Sequence, residues 1–313
     1  VIASGRLLRQ GILLKSATAL ERFAEADVVV FDKTGTLTVG KPELVRDGSW
    51  GDADLRAAAS LALASRHPLA RALANAAPGA VLADGVREEP GRGLVAGAIR
   101  LGSRRWLGIA DDAAAAGPEL WLDQPGRASV RFAFADELRP DARKVVDALK
   151  ARGLAVELLS GDREATVRRV AAELGIERWH AAQTPADKVA RLETLKAEGR
   201  KVLMVGDGLN DAPALASSYV SMSPSSAVDV SQTAADVVFQ GTRLAPVIET
   251  LSVAVTSRRL VTQNFGLALG YNLFTVPMAV AGMVTPLIAA IAMSTSSLVV
   301  IGNALRLSRG RRA

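Results

Sequence analysis

One stretch near the N-terminus combines residue types that could transfer a phosphoryl group. The apolar, mostly β-branched run Val28–Phe31 ends in Asp32, and the polar segment Lys33-Thr34-Gly35-Thr36-Leu37-Thr38 follows. This pattern predicts a buried parallel strand that presents a carboxylate at the edge of a sheet where open α/β folds bind ligands. A carboxylate there can act as a nucleophile and form an aspartyl-phosphate. The Lys33 ammonium and the backbone N–H groups around Gly35 would hold the transferring group.

Three further polar segments could supply the remaining groups. Ser160-Gly161-Asp162 follows the predicted strand Ala155–Leu159, Thr184–Lys188 lies at a predicted helix start, and Gly206–Asp211 follows the predicted strand Lys201–Val205. Strand, polar loop and helix alternate in this region, which is the pattern of a doubly wound α/β fold. Such a fold can gather these loops at one edge of its sheet.

The residue types predict a role for each of these groups. Mg²⁺ prefers a few hard oxygens plus water and phosphate, so Asp32, the Thr34 carbonyl and Asp207 suffice as its ligands. Lys188 would neutralise charge on the phosphoryl group, and Ser160 would donate a hydrogen bond to it. Taken singly, each segment is also explained as a turn or a solvated charge. The predicted catalytic residues are Asp32, Lys33, Thr34, Ser160, Asp162, Lys188, Asn210 and Asp211.

Composition limits the class of protein. The chain has 313 residues and is 49% hydrophobic, which is enough for a sizeable core and two or three domains. It has no Cys, so these residues form neither disulfides nor thiolate metal sites. The net charge is +6, but aromatic residues are only 4% and no basic run is interleaved with them, so nucleic acid is not an expected partner.

Residues 42–127 are rich in Ala, Gly and Pro and separate Asp32 from the other polar segments, which indicates an inserted domain. The helically spaced segment Ala57–Asn75 carries Ser65-Arg66-His67-Pro68. Glu89-Pro90-Gly91-Arg92-Gly93 and Leu101-Gly102-Ser103 follow. Taken alone, His67 is typical of a helix surface and the glycines of a turn.

Together these strings resemble a known family. The order Asp-Lys-Thr-Gly-Thr-Leu-Thr, Ser-Gly-Asp, Lys, Gly-Asp-Gly-x-Asn-Asp is similar to the haloacid-dehalogenase superfamily, and its first string to the phosphorylation signature of P-type ATPases. The inserted domain resembles the nucleotide-binding domain of heavy-metal P-type ATPases. That resemblance implies ATP and Mg²⁺ as cofactors, with the histidine contacting the adenine end. Family members often carry Glu five residues before it, where this chain has Ala62. The implied nucleotide-binding residues are His67, Pro68, Gly91, Gly93, Gly102 and Ser103.

Thr34 distinguishes two activities of that superfamily. Its phosphatases generally have a second Asp two residues after the nucleophile, which acts as general acid and base in hydrolysis. A threonine hydroxyl cannot do so at neutral pH. The phosphoenzyme should therefore hydrolyse slowly unaided, as a pump requires.

The C-terminal region predicts two membrane spans. No charged residue occurs between Arg259 and Arg306, a stretch long enough for two spans of about 20 residues each. Arginines on both sides predict cytoplasmic ends. Polar and thioether groups lie inside the spans, and Met293 and Ser297 are four residues apart on one helix face. Helix packing explains them equally well, but a thioether also favours Cu(I).

With Gly270-Tyr271-Asn272 in the first and Met293-Ser294-Thr295-Ser296-Ser297 in the second, these spans look like the last two helices of copper-transporting P-type ATPases. Four other stretches resemble the FixI/CcoI subgroup: Ser65–Leu73, Val156–Arg163, Val220–Gly241 and Val284–Ala292. The resemblance implies ATP-driven Cu⁺ export from the cytoplasm of a bacterium through its inner membrane, with copper supplied for haem-copper oxidase assembly. Copper chaperones and oxidase assembly factors are implied partners. The implied copper ligands are Tyr271, Asn272, Met293 and Ser297.

The resemblance covers only the C-terminal part of such a pump. The chain opens on Val1, which predicts a missing upstream part that holds the actuator domain and the Cys-Pro-Cys site. A membrane-anchored phosphatase and a non-catalytic assembly protein are the alternatives. The predicted domain order is 1–24 stalk, 25–41 phosphorylation domain, 42–127 nucleotide-binding domain, 128–245 phosphorylation domain again, 246–261 stalk, 262–281 and 285–305 transmembrane helices, and 306–313 basic cytoplasmic tail.

Overall fold

The computed structural model describes residues 2–89, 91–110, 117–208, 211–224 and 234–307. The chain forms two compact units: Val1–Phe31, Arg143–Val156 and Pro185–Ala313 make the first, and Asp32–Ala142 and Glu157–Thr184 the second. In chain order the helices and strands are α1 (Ile2–Leu8), β1 (Ile12–Leu14), α2 (Ala19–Phe23), β2 (Val28–Asp32), β3 (Thr38–Leu44), α3 (Asp52–Ala62), α4 (Pro68–Ala76), β4 (Arg87–Glu89), β5 (Gly93–Ala96), β6 (Ile99–Gly102), β7 (Glu119–Asp123), β8 (Val130–Leu138), α5 (Ala142–Ala151), β9 (Ala155–Leu159), α6 (Glu164–Leu174), β10 (Arg178–His180), α7 (Pro185–Ala197), β11 (Val202–Val205), α8 (Ala212–Ser217), β12 (Val220–Pro224), β13 (Val237–Phe239), α9 (Ala245–Val280) and α10 (Pro286–Leu305).

The first unit is built on a mostly parallel sheet. β2, β11, β12 and β13 are parallel neighbours in that order, and β1 closes the edge antiparallel to β13. Every residue of β2 and β11 is buried, as expected for strands covered on both faces. Phe31 is paired with Val205, so β2 and β11 end next to each other. The predicted doubly wound α/β fold is confirmed.

The second unit contains a six-stranded antiparallel sheet in the order β3-β8-β7-β6-β5-β4. Helices α3 and α4 pack their apolar faces on this sheet. The core between them is formed by leucines and phenylalanines with almost no exposed surface, among them Leu61, Leu73, Leu101, Leu122 and Phe132. This sheet with its two helices is an α+β fold, and it lies where the sequence predicts an inserted domain. In the same unit, β10 pairs in parallel with β9, with Arg178 opposite Glu157.

The structure differs from the sequence-based expectation in two segments. Residues 1–24, predicted to form a stalk, contain two short helices, α1 and α2, and the strand β1, which pairs with β13. The segment Ala57–Asn75 is divided between α3 and α4. Pro68 explains this division, because it is the first residue of α4 and a proline lacks the N–H that a continuous helix would use.

The C-terminal region forms two long helices. The predicted second stalk (246–261) and first span (262–281) belong to one helix, α9, which runs from Ala245 to Val280. Among the described residues, only α10 is both long and apolar enough to cross a membrane, with a mean hydropathy of 1.8. The amides of Gln263, Asn264 and Asn272 reduce the apolar character of α9. The two compact units do not correspond one to one to the predicted domains, so they do not test the other predicted domain boundaries. These boundaries stay predictions.

Candidate functional site

Asp32 lies at the end of β2 and is almost fully buried, with 4% of its surface exposed. The chain then forms a tight loop, Lys33–Leu37, in which Gly35 adopts φ 71°, a left-handed conformation that glycine accommodates without strain. The Thr38 hydroxyl fixes this loop. It accepts a hydrogen bond from the Gly35 N–H at 3.1 Å and donates one to the Lys33 carbonyl at 3.2 Å.

The second unit brings two further predicted catalytic residues, Ser160 and Asp162, close to Lys33. The Lys33 ammonium forms an ion pair with the Asp162 carboxylate, and the Asp162 N–H donates to the Ser160 hydroxyl at 3.2 Å. Asp136, which the sequence analysis did not assign, lies 4.0 Å from the same ammonium. The sequence could have indicated Asp136 as a site residue, because it is an acidic residue near the end of the predicted strand. Lys33, Ser160 and Asp162 therefore lie in one charged cluster, together with Asp136.

Arg139 is a further residue that sequence reasoning missed. Its side chain is buried and donates to the Thr36 carbonyl at 2.6 Å and the Gly35 carbonyl at 2.9 Å. Burial lowers the pKa of its guanidinium from the usual value. Because the guanidinium binds two consecutive carbonyls, it holds the backbone that follows Asp32 in one conformation.

Replacing Arg139 with Ala should lower the free energy of unfolding of the second unit by about 2–3 kcal/mol, since two buried carbonyls lose their donor. Chemical denaturation followed by tryptophan fluorescence measures this, because all four tryptophans lie in the second unit. Arg127→Ala is the control. Its exposed ion pair with Asp54 at 3.4 Å should contribute about 0.5 kcal/mol or less. Equal effects of the two substitutions would contradict this account.

The first unit holds a buried ion pair between two predicted catalytic residues, Lys188 on α7 and Asp211, the N-cap of α8. The Lys188 ammonium donates to one carboxylate oxygen of Asp211 at 2.6 Å, and both side chains are buried. The other oxygen of Asp211 is buried without a hydrogen-bond partner within the described part of the chain. Asp207 is half-buried in the loop after β11. Asn210, also predicted as catalytic, lies outside the described residues.

The oxygen donors in these segments suit Mg²⁺. Asp32, which ends β2, and Asp207, in the loop after β11, each offer a hard carboxylate oxygen of the kind that Mg²⁺ binds. In the first unit, the Asp211 oxygen that has no hydrogen-bond partner among the described residues is a further buried acceptor. Within the described ranges no group of three or more His, Asp or Glu could enclose a metal. Mg²⁺ does not require one, because it retains water and phosphate ligands.

A cavity of about 260 Å³ lies in the second unit, beside the N-terminus of α4. His67 is the N-cap of this helix, and its Nδ1 accepts a hydrogen bond from the Leu69 N–H at 3.3 Å. The predicted nucleotide-binding residues that line the cavity are His67, Gly91, Gly93 and Ser103. Pro68 starts the adjacent helix, and Gly102 ends the neighbouring strand β6.

Close backbone packing, apart from any contact with a ligand, explains why glycine occupies two positions around this cavity. A Cβ atom at Gly93 would lie 2.2 Å from the Leu101 carbonyl oxygen, and one at Gly102 would lie 2.4 Å from the Arg92 carbonyl oxygen. Both positions therefore require glycine for the close pairing of β5 and β6. Gly91 differs, because a Cβ there would meet open space, although its φ of +73° also favours glycine.

Glu119 lines the same cavity and was not predicted as a site residue. It accepts hydrogen bonds from Arg104 at 2.7 Å and from Arg131 at 2.8 Å. Burial alone would raise the pKa of this carboxyl, but the hydrogen bonds from Arg104 and Arg131 outweigh it and lower the pKa to about 2. The carboxylate thus remains ionised and ties β7 to β8.

This lowered pKa predicts a pH-dependent contribution to stability. Because the folded-state pKa of Glu119 (about 2) is below its ordinary value of 4.5, its contribution is fully present above pH 4.5 and is lost as the pH falls towards 2. Glu119→Gln should therefore destabilise the second unit most at neutral pH, with a difference from wild type that shrinks between those pH values. Denaturation midpoints from tryptophan fluorescence at several pH values measure this. The exposed Glu137→Gln should follow the wild type throughout, and a Glu119→Gln effect that is constant with pH would contradict the assignment.

The predicted copper ligands lie on the two C-terminal helices, Tyr271 and Asn272 on α9 and Met293 and Ser297 on α10. A cavity of about 620 Å³ along these helices is lined by Tyr271 and not by Met293. Near it, the Asn303 amide donates to the Asn264 side chain at 2.9 Å, a contact that links α10 to α9 and that the sequence analysis did not foresee. The four residues stay predicted ligands.

Comparison with known proteins identifies the protein family to which this fold and this candidate site belong. Residues 26–218, more than half of the chain, match the family model described as haloacid dehalogenase-like hydrolase. The chain belongs to this family.

Within that family the homologues are FixI proteins and copper-transporting P-type ATPases, which are translocases with a catalytic domain of this type. The chain is 48% identical over 317 residues to "Nitrogen fixation protein FixI" of Rhizobium leguminosarum bv. viciae, covering 98% of this chain and 42% of that protein. It is 37% identical to "Probable copper-transporting ATPase SynA" of Synechococcus sp., again covering 98% of this chain and 42% of that protein. It therefore spans less than half the length of these curated relatives.

Among solved structures, the chain is similar to a zinc-transporting PIB-type ATPase in its E2.Pi state. The TM-score is 0.82 at 28% sequence identity, and the match covers 98% of this chain and 54% of that one. The likeness extends over both units described above and includes the C-terminal helices.

Proposed function

We propose that this chain is the catalytic and C-terminal part of an ATP-driven Cu⁺ transporter that passes through an aspartyl-phosphate at Asp32. The observation that carries this proposal is the position of Asp32. Its carboxylate is buried at the end of a central parallel strand, is followed by a glycine-containing loop, and has Thr34 two residues later, where a phosphatase would need an acid.

The proposed reaction is an in-line displacement. A carboxylate oxygen of Asp32 attacks the γ-phosphorus of ATP, the new oxygen–phosphorus bond forms, and the bond to the β-phosphate oxygen breaks to release ADP. Lys188 neutralises charge on the transferring group, and the Ser160 hydroxyl donates to it. Mg²⁺, held by Asp32, the Thr34 carbonyl and Asp207, would supply charge neutralisation on the phosphate oxygens.

The remaining charged side chains hold the reacting groups in position in this proposal. The ion pair with Asp162 orients Lys33 beside the nucleophile, and Arg139 keeps the backbone of the loop Lys33–Leu37 fixed. The buried pairing with Lys188 holds Asp211. These contacts pre-organise the groups that meet the phosphoryl, which is how phosphoryl-transfer catalysis mostly operates.

We infer the identity of the transported ion and its destination from the relatives of this chain. FixI and copper-transporting ATPases are the homologues, and Met293 on α10 offers a soft thioether suited to Cu⁺. We extend the proposal to export across a bacterial inner membrane, in which α10 and the apolar part of α9 span the bilayer, and to delivery of copper for haem-copper oxidase assembly, with chaperones and assembly factors as partners.

Phosphoenzyme formation tests the catalytic part of this proposal. After incubation with γ-labelled ATP and Mg²⁺ and an acid quench, label should remain on the protein, should be released by hydroxylamine, and should be missing when EDTA is present. Asp32→Asn should carry no label, whereas Asp27→Asn, on the same stretch of chain but before β2, should be labelled like wild type. Equal labelling of Asp32→Asn and wild type would contradict the assignment.

A second measurement addresses the ion. In a longer protein that contains this chain together with the upstream region of its relatives, ATP turnover should be stimulated by Cu⁺, and Met293→Leu should weaken that stimulation. Stimulation by Zn²⁺ and not by Cu⁺ would refute the copper assignment. Turnover without any metal dependence would favour the membrane-anchored phosphatase.

A further inference from the structure

The cavity beside α4 contains three glutamates in different electrostatic situations. Glu119 forms ion pairs with Arg104 and Arg131, and Glu89 forms one with Arg92 at 3.4 Å. The side-chain hydrogen bond that the structure shows for Glu88 comes instead from a neutral hydroxyl, Ser65 Oγ, at 2.9 Å. Glu88 is exposed, lines the cavity and forms no ion pair with an arginine in the described part of the chain.

Ser65 connects this carboxylate to His67. Its hydroxyl is buried, donates to Glu88 and accepts a hydrogen bond from the His67 N–H at 3.1 Å. One oxygen atom therefore fixes both the Glu88 carboxylate and the backbone of His67. Both side chains line the same cavity.

The two side chains present opposite hydrogen-bonding groups. His67 Nδ1 accepts from the Leu69 N–H, so in the neutral imidazole the proton is on Nε2, which is a donor. A carboxylate has about four acceptor positions, and Ser65 occupies one of those on Glu88. The cavity is thus lined by an acceptor on Glu88 and a donor on His67, and Ser65 bonds the carboxylate of the first and the backbone N–H of the second.

We propose that Glu88 is the residue that selects adenine over 6-oxopurines, by accepting a hydrogen bond from the exocyclic 6-amino group. This inference rests on the proposed function, in which the cavity takes the nucleotide. A ring nitrogen of adenine next to the amino group accepts from a donor such as His67 Nε2, so the acceptor–donor pair complements adenine. A 6-oxopurine presents a carbonyl oxygen and an N1–H in the same places and reverses the pattern. The negative charge of Glu88 also repels the triphosphate, which directs the base and not the phosphates to this end of the cavity.

Nucleotide binding by the full chain tests the inference without requiring catalysis. Isothermal titration with ATP and with inosine triphosphate, both in EDTA so that no phosphoryl transfer occurs, gives the ratio of the two affinities. The wild type should bind ATP about tenfold more tightly than inosine triphosphate, because the 6-oxo oxygen would face the Glu88 carboxylate as acceptor against acceptor. In Glu88→Gln this ratio should fall to about threefold or less, because the amide offers a donor as well as an acceptor.

Glu137→Gln is the matched control, since it makes the same change at an exposed residue of the same unit that does not line the cavity, and it should keep the wild-type ratio. Glutamine at position 88 can still accept from Ser65, and unchanged tryptophan fluorescence verifies that the variant is folded. A ratio retained in Glu88→Gln, lost equally in both variants, or near unity in the wild type would overturn the inference and leave the proposed phosphorylation standing. A wild type that binds neither nucleotide would overturn the proposed function itself.

Discussion

Replacing Lys188 with Met should cost the first unit about 3–5 kcal/mol of stability, because it leaves the buried Asp211 carboxylate without its cation. The two groups are 2.6 Å apart and Asp211 is 1% exposed, so water cannot take the place of the ammonium. Since we propose that Lys188 also neutralises the transferring phosphoryl group, the variant should in addition lose phosphoenzyme formation.

Native-state hydrogen exchange of the β11 and α8 amides measures this loss of stability locally. Lys196→Met is a control on the same helix. Lys196 forms an exposed ion pair with Glu193 at 3.4 Å, which should contribute less than about 1 kcal/mol. Adding Asp211→Asn to Lys188→Met should restore part of the stability, because the buried charge is then removed, but should not restore phosphorylation. An equal loss of stability in the two lysine variants would show that burial of the pair is unimportant.

Replacing Thr34 with Asp should convert a slowly hydrolysing phosphoenzyme into one that turns over. The new carboxyl would lie two residues after the nucleophile and could act as general base on the attacking water, an effect of about 10²–10⁴-fold on the rate. Thr34 is exposed in the loop after β2, so the substitution does not need to be accommodated in the core.

The rate of label release from acid-quenched time points measures this acceleration. Thr34→Asn is the control, because it has nearly the same shape as Asp but cannot exchange a proton near neutral pH. The Asn variant should release label about as slowly as wild type. Fast release from both variants would mean that loop distortion, and not general base catalysis, governs hydrolysis.

The sequence was sufficient to predict the fold where apolar runs and polar loops alternate regularly. Val28–Phe31 and Ala155–Leu159 are strands as predicted, because β-branched and other apolar runs of this length suit a strand buried on both faces. The N-terminal 24 residues show the limit. Ile12–Leu14 is too short a run to be recognised as a strand, and it becomes one only because it pairs with Val237–Phe239, more than 200 residues away in the chain.

At the candidate site, too, local sequence patterns predicted some residues, whereas residues defined by long-range contacts were missed. Lys33, Asp162, Lys188 and Asp211 were predicted from short strings, and the structure shows how they pair. Arg139 was not predicted, since its contacts with the Gly35 and Thr36 carbonyls are between residues about 100 positions apart. Glu88 and Glu119 were missed for a related reason. Glu119 meets Arg131 because β7 pairs with β8, and Glu88 meets Ser65 because of the turn after α3. No local sequence pattern predicts either contact.

The central claim is that Asp32 receives the γ-phosphoryl group of ATP. An acyl-phosphate is reduced by borohydride to an alcohol, so borohydride treatment of the acid-quenched protein, followed by peptide mass spectrometry, identifies the carboxyl that was phosphorylated. We expect conversion of residue 32 to homoserine in the sample incubated with ATP and Mg²⁺, and no conversion when EDTA is added. Conversion at another carboxyl, such as Asp162 or Asp207, with residue 32 unchanged, would contradict the account.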